Sequence, residues 1–387
     1  MNYDYLDLES DLPEEERRAR DTAREFVDDR VKPDVADWYR DGVLPREILS
    51  EMGDLGFYLP TAEDYGLPGL SYLAYGLVLK ELEAGDSGVR SAASVQGSLV
   101  MYPIHEFGSE SQRERLLPAL GTGDLIGCFG LTEPGHGSDP ASMETTATPV
   151  DGGYLLDGRK TWITNAPIAD VALVWARDVE RDTVRGYLVD TDLDGVETPE
   201  LDGKLSMRAS STGEIHLDDV EVTEEDVLPG VDGMRGPLSC LTMGRYGVAW
   251  GVVGAMRDCL ESAVEYACDR EQWGRPIAGF QMQHEKIAEM ATKTSTASLL
   301  VHRLAELAEE DRMKPQQVSM AKRHNAGAAR YVARTAREML GGNGITLDYP
   351  PMRHLANVET VYTYEGTHDV HSLILGADIT GIDAFEG

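Results

Sequence analysis

The sequence predicts an α+β fold with segregated elements: helices first, strands in the middle, helices again to the end. Two observations carry that expectation. Apolar residues recur at helical spacing up to Leu120 and again after Pro237, and between them the pattern shortens to alternating runs punctuated by Asp-Gly pairs. The expected division is an all-helical region over 1–122, a β region over 123–235 and a helical bundle over 236–387.

Each element has a local cause. Asp11, Pro13 and Glu14–Glu16 make a helix start, and Ala23, Phe26, Val27 and Val31 follow at helical spacing. In the middle, Asp151-Gly152 and Asp157-Gly158 are turn signals around Tyr154–Leu156 and Thr161–Thr164. Val171–Trp175, Tyr187–Val189 and Ile215–Val222 read as further strands. Long helices are expected over 238–268, 284–310 and 316–340, the last stopping at Gly341-Gly342.

Composition excludes several classes of function. A net charge of −33 repels the phosphates of nucleic acid. No apolar stretch approaches the roughly 20 residues that cross a bilayer, and the acidic first residues lack the features of a secretory signal, so a cytoplasmic protein without membrane insertion is expected. Cys128, Cys240, Cys259 and Cys268 are scattered without CxxC spacing and are expected as reduced thiols; no metal-ligand set is expected. Only eight of the 35 basic residues are lysine. Such a surface repels itself in dilute buffer and is tolerated when molar salt shortens screening to about 3 Å, which points to a halophilic, salt-rich cytosol.

Three segments can carry chemistry. The loop Cys128–Pro140, CFGLTEPGHGSDP, offers backbone amides beside Thr132 and Ser138 and could cradle a polar ring or a phosphate; a plain surface turn is the alternative. Trp162-Ile163-Thr164 presents an indole and a hydroxyl on a strand, a pattern equally suited to core. In Thr363–Gly376, TYEGTHDVHSLILG, Glu365 follows an aromatic residue just before a helix that Thr367 can cap. Burial under aromatic cover would raise its pKa from about 4.3 and make it a useful base; a solvated loop glutamate is the alternative.

Taken in order, LTEPGHGSD (131–139), WITN (162–165), DREQWGRPIAGFQ (269–281), LGGNG (340–344) and YEGT (364–367) resemble the acyl-CoA dehydrogenase family over essentially the whole chain. Within it, 88–100, 245–255 and 364–385 are most similar to the glutaryl-CoA dehydrogenase branch. The resemblance implies an N-terminal helical domain, a middle β domain and a C-terminal four-helix bundle, with FAD between the last two. It implies Phe129, Leu131, Thr132 and Ser138 along the isoalloxazine, with Trp162, Ile163 and Thr164 on its other side. Arg270 and Gln281 would reach the FAD of a neighbouring subunit, Arg270 having an internal salt bridge as its alternative role. Glu338, Leu340, Gly341 and Gly342 would lie at the pyrophosphate and adenosine end, and Thr367 and Phe385 complete the set. A homotetramer is implied, with electron-transferring flavoprotein as acceptor.

The same resemblance makes Glu365 the catalytic base, its backbone amide polarising the thioester carbonyl. The acyl-CoA substrate would meet Arg90, Ser91, Ser94, Ser138, Leu238, Thr242, Arg245, Tyr364 and Gly366, with Arg245 along the CoA arm. Arg90 and Ser94, four apart on an expected helix, could hold a distal carboxylate, with Glu83 on the same face tuning or neutralising the arginine. Glutaryl-CoA, oxidised with loss of CO2 to crotonyl-CoA, fits that pair. Val89 departs from the branch's usual tyrosine, and Trp273 replaces a common phenylalanine. Two other readings use the same residues: a short-chain or branched-chain acyl-CoA dehydrogenase with Arg90 tied up internally, and a non-catalytic flavoprotein scaffold.

Overall fold

The stretch after Gly233 is rich in small and apolar residues with Pro237 confined to the first turn, and the result is a single 35-residue helix, α8 (Arg235–Asp269). The computed structural model describes residues 4–59 and 61–385; the extreme ends of the expected regions, 1–3 and 386–387, lie outside them.

Among the described residues seven α-helices precede the strands: α1 (Glu14–Phe26), α2 (Val35–Asp41), α3 (Arg46–Asp54), α4 (Tyr72–Gly85), α5 (Ser87–Ser94), α6 (Tyr102–Phe107) and α7 (Glu110–Thr122). A wider π turn continues α1 through Val31, and another links α5 to α6. Helix α4 is buried over nearly its whole length, the charged Lys80, Glu81 and Glu83 included, and packs on α8. The expectation that Glu83 and Arg90 share one helix face does not hold. Asp86 is extended (φ −164°, ψ 144°), ends α4 and caps α5 by accepting from the Gly88 N–H at 2.7 Å, so the two residues come from different helices.

Asp86 is fully buried. Its other oxygen accepts from Arg353 and, at 2.9 Å, from Asn357, both on α11 (Pro350–Thr363), while Arg353 also donates to the Gly85 carbonyl at 2.7 Å. The Asn357 side-chain oxygen Oδ1 accepts from the Met207 N–H at 2.7 Å. One acid thus joins the first helices, the last helices and a loop of the β domain.

The strands are β1 (Gly127–Gly130), β2 (Thr146–Val150), β3 (Gly153–Thr164), β4 (Val171–Asp178), β5 (Thr183–Asp190), β6 (Val196–Glu197) and β7 (Thr212–Thr223). They form one sheet in the order β1-β4-β2-β3-β7-β6, with β5 on β4. Cys128, Leu156, Ile163, Val174, Tyr187, Ile215 and Val220 fill its own core. Asp151-Gly152 makes the expected hairpin turn, with Gly152 at φ 87°. Asp157-Gly158 does not turn the chain: β3 runs through it, and the pair appears as a register shift against β7 between Leu156 and Gly158. Continuous pairing on β7 outweighs the local turn preference, and the extra residue is absorbed as a bulge.

After β7 come α8, a two-stranded ribbon β8 (Glu271–Gln272) and β9 (Arg275–Pro276), α9 (Gln281–Glu309), α10 (Pro315–Met339), α11 and α12 (His368–Thr380). The three long helices fall where the apolar period placed them, and α10 stops before Gly341, which has φ 60°. Cys128, Cys240 and Cys259 are buried, Cys268 is exposed, and all four are free. Among the described residues no helix is long and apolar enough to cross a membrane.

Candidate active site

The link between α11 and α12 carries Glu365. Thr367 caps α12 by accepting from the Val370 N–H at 3.1 Å, as its place before an apolar run predicts. Glu365 is left-handed (φ 51°) and is followed by Gly366 at φ 91°. Its carboxylate Oε2 is shut off from solvent without a hydrogen-bond partner. Its own N–H donates no hydrogen bond among the described residues, although its carbonyl accepts from Arg245 Nε at 2.7 Å. Burial raises the carboxyl pKa, and Arg90, Arg245 and Lys322 only partly oppose that rise. The carboxylate passes close over α8 at Gly244, where an added Cβ would meet Oε2 at 2.4 Å.

Arg90 is entirely buried. Its Nε donates to Glu83 Oε2 at 2.5 Å, its Nη2 donates to the Tyr364 hydroxyl, and its Nη1 makes only a 3.4 Å contact with Ser94 Oγ. Ser87 Oγ supports Glu83 at 2.8 Å. Burial alone would lower the guanidinium pKa, but Glu83 and Tyr364 together more than offset it and hold Arg90 above its usual range. Gly251 makes room for the pair, since a Cβ there would sit 2.1 Å from Glu83 Oε2. Through Tyr364 the Arg90–Ser94 pair is tied to the residue next to Glu365. Val89 and Ser91 are buried on the same short helix. Leu238 is exposed and Thr242 half-buried at the start of α8, the latter bonded back to the Leu238 carbonyl at 2.9 Å.

A second cluster lies at the β domain. Trp162 sits in the register shift between Lys160 and Ile163, with φ 62° and 66% of its surface exposed, while Ile163 enters the core and Thr164 is half-buried. The bulge re-aims the indole outward, which is why this strand is only partly core. Phe129 and Leu131 are buried nearby, Thr132 is half-buried and Ser138 exposed. The loop is pinned from beneath. Glu133 accepts from the Glu144 N–H at 2.6 Å, the Thr145 N–H at 2.9 Å and Lys160 at 2.7 Å, and the Thr132 carbonyl accepts from the Thr161 N–H at 2.9 Å. Burial would raise the Glu133 carboxyl, yet these donors hold it down at about 2.

The remaining residues lie apart from Glu365. Arg270 is exposed and has no ion pair among the described residues, so the internal salt bridge is not formed. Gln281 and Phe385 are exposed, Glu338 pairs with Lys286 at 3.5 Å, and Leu340 is buried beside exposed Gly341 and Gly342. Trp273, at the tip of the β8–β9 ribbon, is 87% exposed. Lys322 and His371, which motif reading did not single out, are buried against the Glu365 loop, and both nitrogens of His371 lack partners. The available signal for Lys322 was its place on the core stripe of α10, in register with Ser319, Asn325, Ala326 and Ala329.

Three family descriptions match consecutive parts of the chain: acyl-CoA dehydrogenase N-terminal domain over 13–124, middle domain over 128–220 and C-terminal domain over 231–380. The chain belongs to the acyl-CoA dehydrogenase family. A solved structure of glutaryl-CoA dehydrogenase from Mycobacterium smegmatis is 48% identical, with a TM-score of 0.97 and all of both chains covered. Another, of a glutaryl-CoA dehydrogenase from the same organism in complex with FADH2, is 44% identical over 98% of each chain, with a TM-score of 0.97. The human mitochondrial short-chain specific acyl-CoA dehydrogenase is 33% identical over 95% of this chain and 91% of its own.

Acyl-CoA dehydrogenases are FAD enzymes, and the residues fit that group. An indole turned outward by a bulge, the apolar Phe129 and Leu131 and the Thr132 and Thr164 hydroxyls suit a flat ring with polar edges. Gly135, Gly137, Gly341 and Gly342 have open space where a Cβ would stand, which lets backbone amides approach phosphates.

Proposed function

We propose that this chain oxidises glutaryl-CoA across its α and β carbons and releases the distal carboxylate as CO2, leaving crotonyl-CoA. The observation that carries this reading is the buried Arg90–Ser94 pair, which Tyr364 connects to the loop of Glu365. FAD, when bound, supplies the two-electron acceptor for the β hydrogen. Glu365 Oε2, bare and buried, takes the α proton. Its unengaged N–H is available to the thioester carbonyl, stabilising the negative charge that develops there. Arg90 keeps Nη1 for the far carboxylate, because Glu83 engages its Nε and Tyr364 its Nη2. After oxidation the γ-carboxylate is vinylogous to the thioester; its C–C bond breaks, CO2 leaves, and Glu365 returns a proton to the γ carbon.

The same contacts support a second reading. Arg90 is already paired with Glu83 at 2.5 Å, so a short acyl chain could be accepted with the arginine left internal, as the likeness to the short-chain enzyme also suggests. Turnover of glutaryl-CoA against butyryl-CoA with an artificial acceptor, with CO2 trapped and products identified by mass, separates the two. Glutaryl-CoA is expected to be preferred and to give crotonyl-CoA; turnover of butyryl-CoA alone overturns the proposal.

The wider expectations belong to the same proposal: a homotetramer passing electrons to electron-transferring flavoprotein in a salt-rich cytoplasm. The bare Arg270, Trp273, Gln281 and Phe385 support a neighbouring subunit completing the cofactor site.

A further inference from the structure

We infer that Lys322 is a positioning residue for the reaction: by bridging the two peptide carbonyls that flank Glu365 it holds the base in its left-handed conformation and sets the charge around it. This rests on Glu365 being the base. Lys322 Nζ donates to the Tyr364 carbonyl at 2.8 Å and the Gly366 carbonyl at 2.9 Å, while Arg245 Nε donates to the Glu365 carbonyl between them at 2.7 Å. Three successive carbonyls are therefore each held by a buried cation. The backbone needs such restraint. Glu365 and Gly366 both have positive φ, a conformation that is unfavourable for a residue with a Cβ such as Glu365, and helix geometry does not resume until His368.

The arrangement also keeps the base free. Lys322 acts on the backbone and makes no bond to the carboxylate, whose Oε2 stays unpartnered. The groups facing Glu365 are Tyr75 from α4, Arg90 from α5, Arg245 from α8, Lys322 from α10, His371 from α12, and Tyr364 beside it. Of these, Lys322 alone holds two carbonyls of the loop. A lysine on the buried face of α10 is otherwise costly, and burial lowers its pKa to about 7.

The test compares Lys322→Met, Lys322→Gln and Lys322→Arg as FAD-loaded enzymes, with Glu365→Gln as reference. Lys322→Met is expected to lose about 10²-fold in kcat with KM little changed. Its acid limb in the pH profile of kcat should move up by about one unit, because a cation that favours the ionised base is gone. Lys322→Arg should recover most of both. Lys322→Gln keeps donors without charge, so it should show the limb shift with a smaller loss of kcat, and it decides the matter if the methionine variant does not fold. Parent kcat and an unmoved acid limb in the neutral variants, with Glu365→Gln inactive, overturn this inference alone. A fully active Glu365→Gln overturns the reading beneath it.

Discussion

Replacing Glu83 by alanine leaves the Arg90 guanidinium fully buried, with the Tyr364 hydroxyl and a 3.4 Å contact to Ser94 as its remaining partners. Both members of the pair have no exposed side-chain surface, so water cannot replace the lost carboxylate without opening the helices. Orphaning one member of a buried pair costs about 3–5 kcal/mol. For a protein of this size that corresponds to a fall of about 1 M in the urea midpoint, followed by tryptophan fluorescence. Two controls sharpen the expectation. The double variant Glu83→Ala, Arg90→Met removes both charges and should recover most of the loss, since no unpaired ion is left behind. Saturating glutaryl-CoA should narrow the gap between Glu83→Ala and parent, because its far carboxylate at Nη1 gives the orphaned guanidinium a counter-charge, whereas butyryl-CoA should not. An unchanged urea midpoint for Glu83→Ala would show that Arg90 does not depend on Glu83, and the account of the acyl pocket would fail.

Three further outcomes are expected. Glu365→Gln should slow flavin reduction by about 10²–10⁴-fold in stopped flow, the range for a lost general base. Because burial raises the Glu365 pKa, stability is lost as pH rises from the ordinary carboxylate value through the raised one, and no cost remains below the ordinary value, where the group is protonated folded or unfolded. The glutamine variant should therefore out-stabilise the parent at neutral pH, with the difference vanishing as pH falls below about 4. Glu133→Gln weakens the anchor beneath the Thr132 loop and should lower FAD retention on gel filtration; since Glu133 is held down at about 2, its contribution in the parent is present above about pH 4.3 and lost as pH falls toward 2. With a net charge of −33, unfolding temperature should rise steeply between about 0.1 and 1 M KCl, and full stability in dilute buffer would count against a salt-adapted surface.

Long-range periodicity made the helix–strand–helix order legible, because burying one face of a long helix or strand leaves a repeat that local chemistry does not erase. Short signals fared less evenly. Asp151-Gly152 closes a hairpin, whereas the identical pair at 157–158 is overridden by pairing of β3 along β7. Glu365 stood out beside a glycine and a cap in one segment, and the ordered motifs shared with acyl-CoA dehydrogenases were needed to prefer a base over a solvated loop glutamate. Its restraint did not stand out, since Lys322 and Arg245 arrive from α10 and α8, 43 and 120 residues away. The Glu83–Arg90 pair was visible as two charges but misplaced on one helix, because the break at Asp86 depends on Arg353 and Asn357, more than 260 residues further on.

That break has a bearing on how such an enzyme can change its diet. The helix that presents Arg90 begins at an acid bolted to the same helix, α11, whose far end leads into Glu365. The proposed selector and base are consequently fixed to one frame, and their separation is set by these contacts and not by the long stretch of chain between them. Substitutions at Val89 or Ser94 can reshape the acyl end while the reacting carbon stays in register with its proton acceptor. Alterations at Asp86, Arg353 or Asn357 would instead shift the two against each other and spoil every substrate alike.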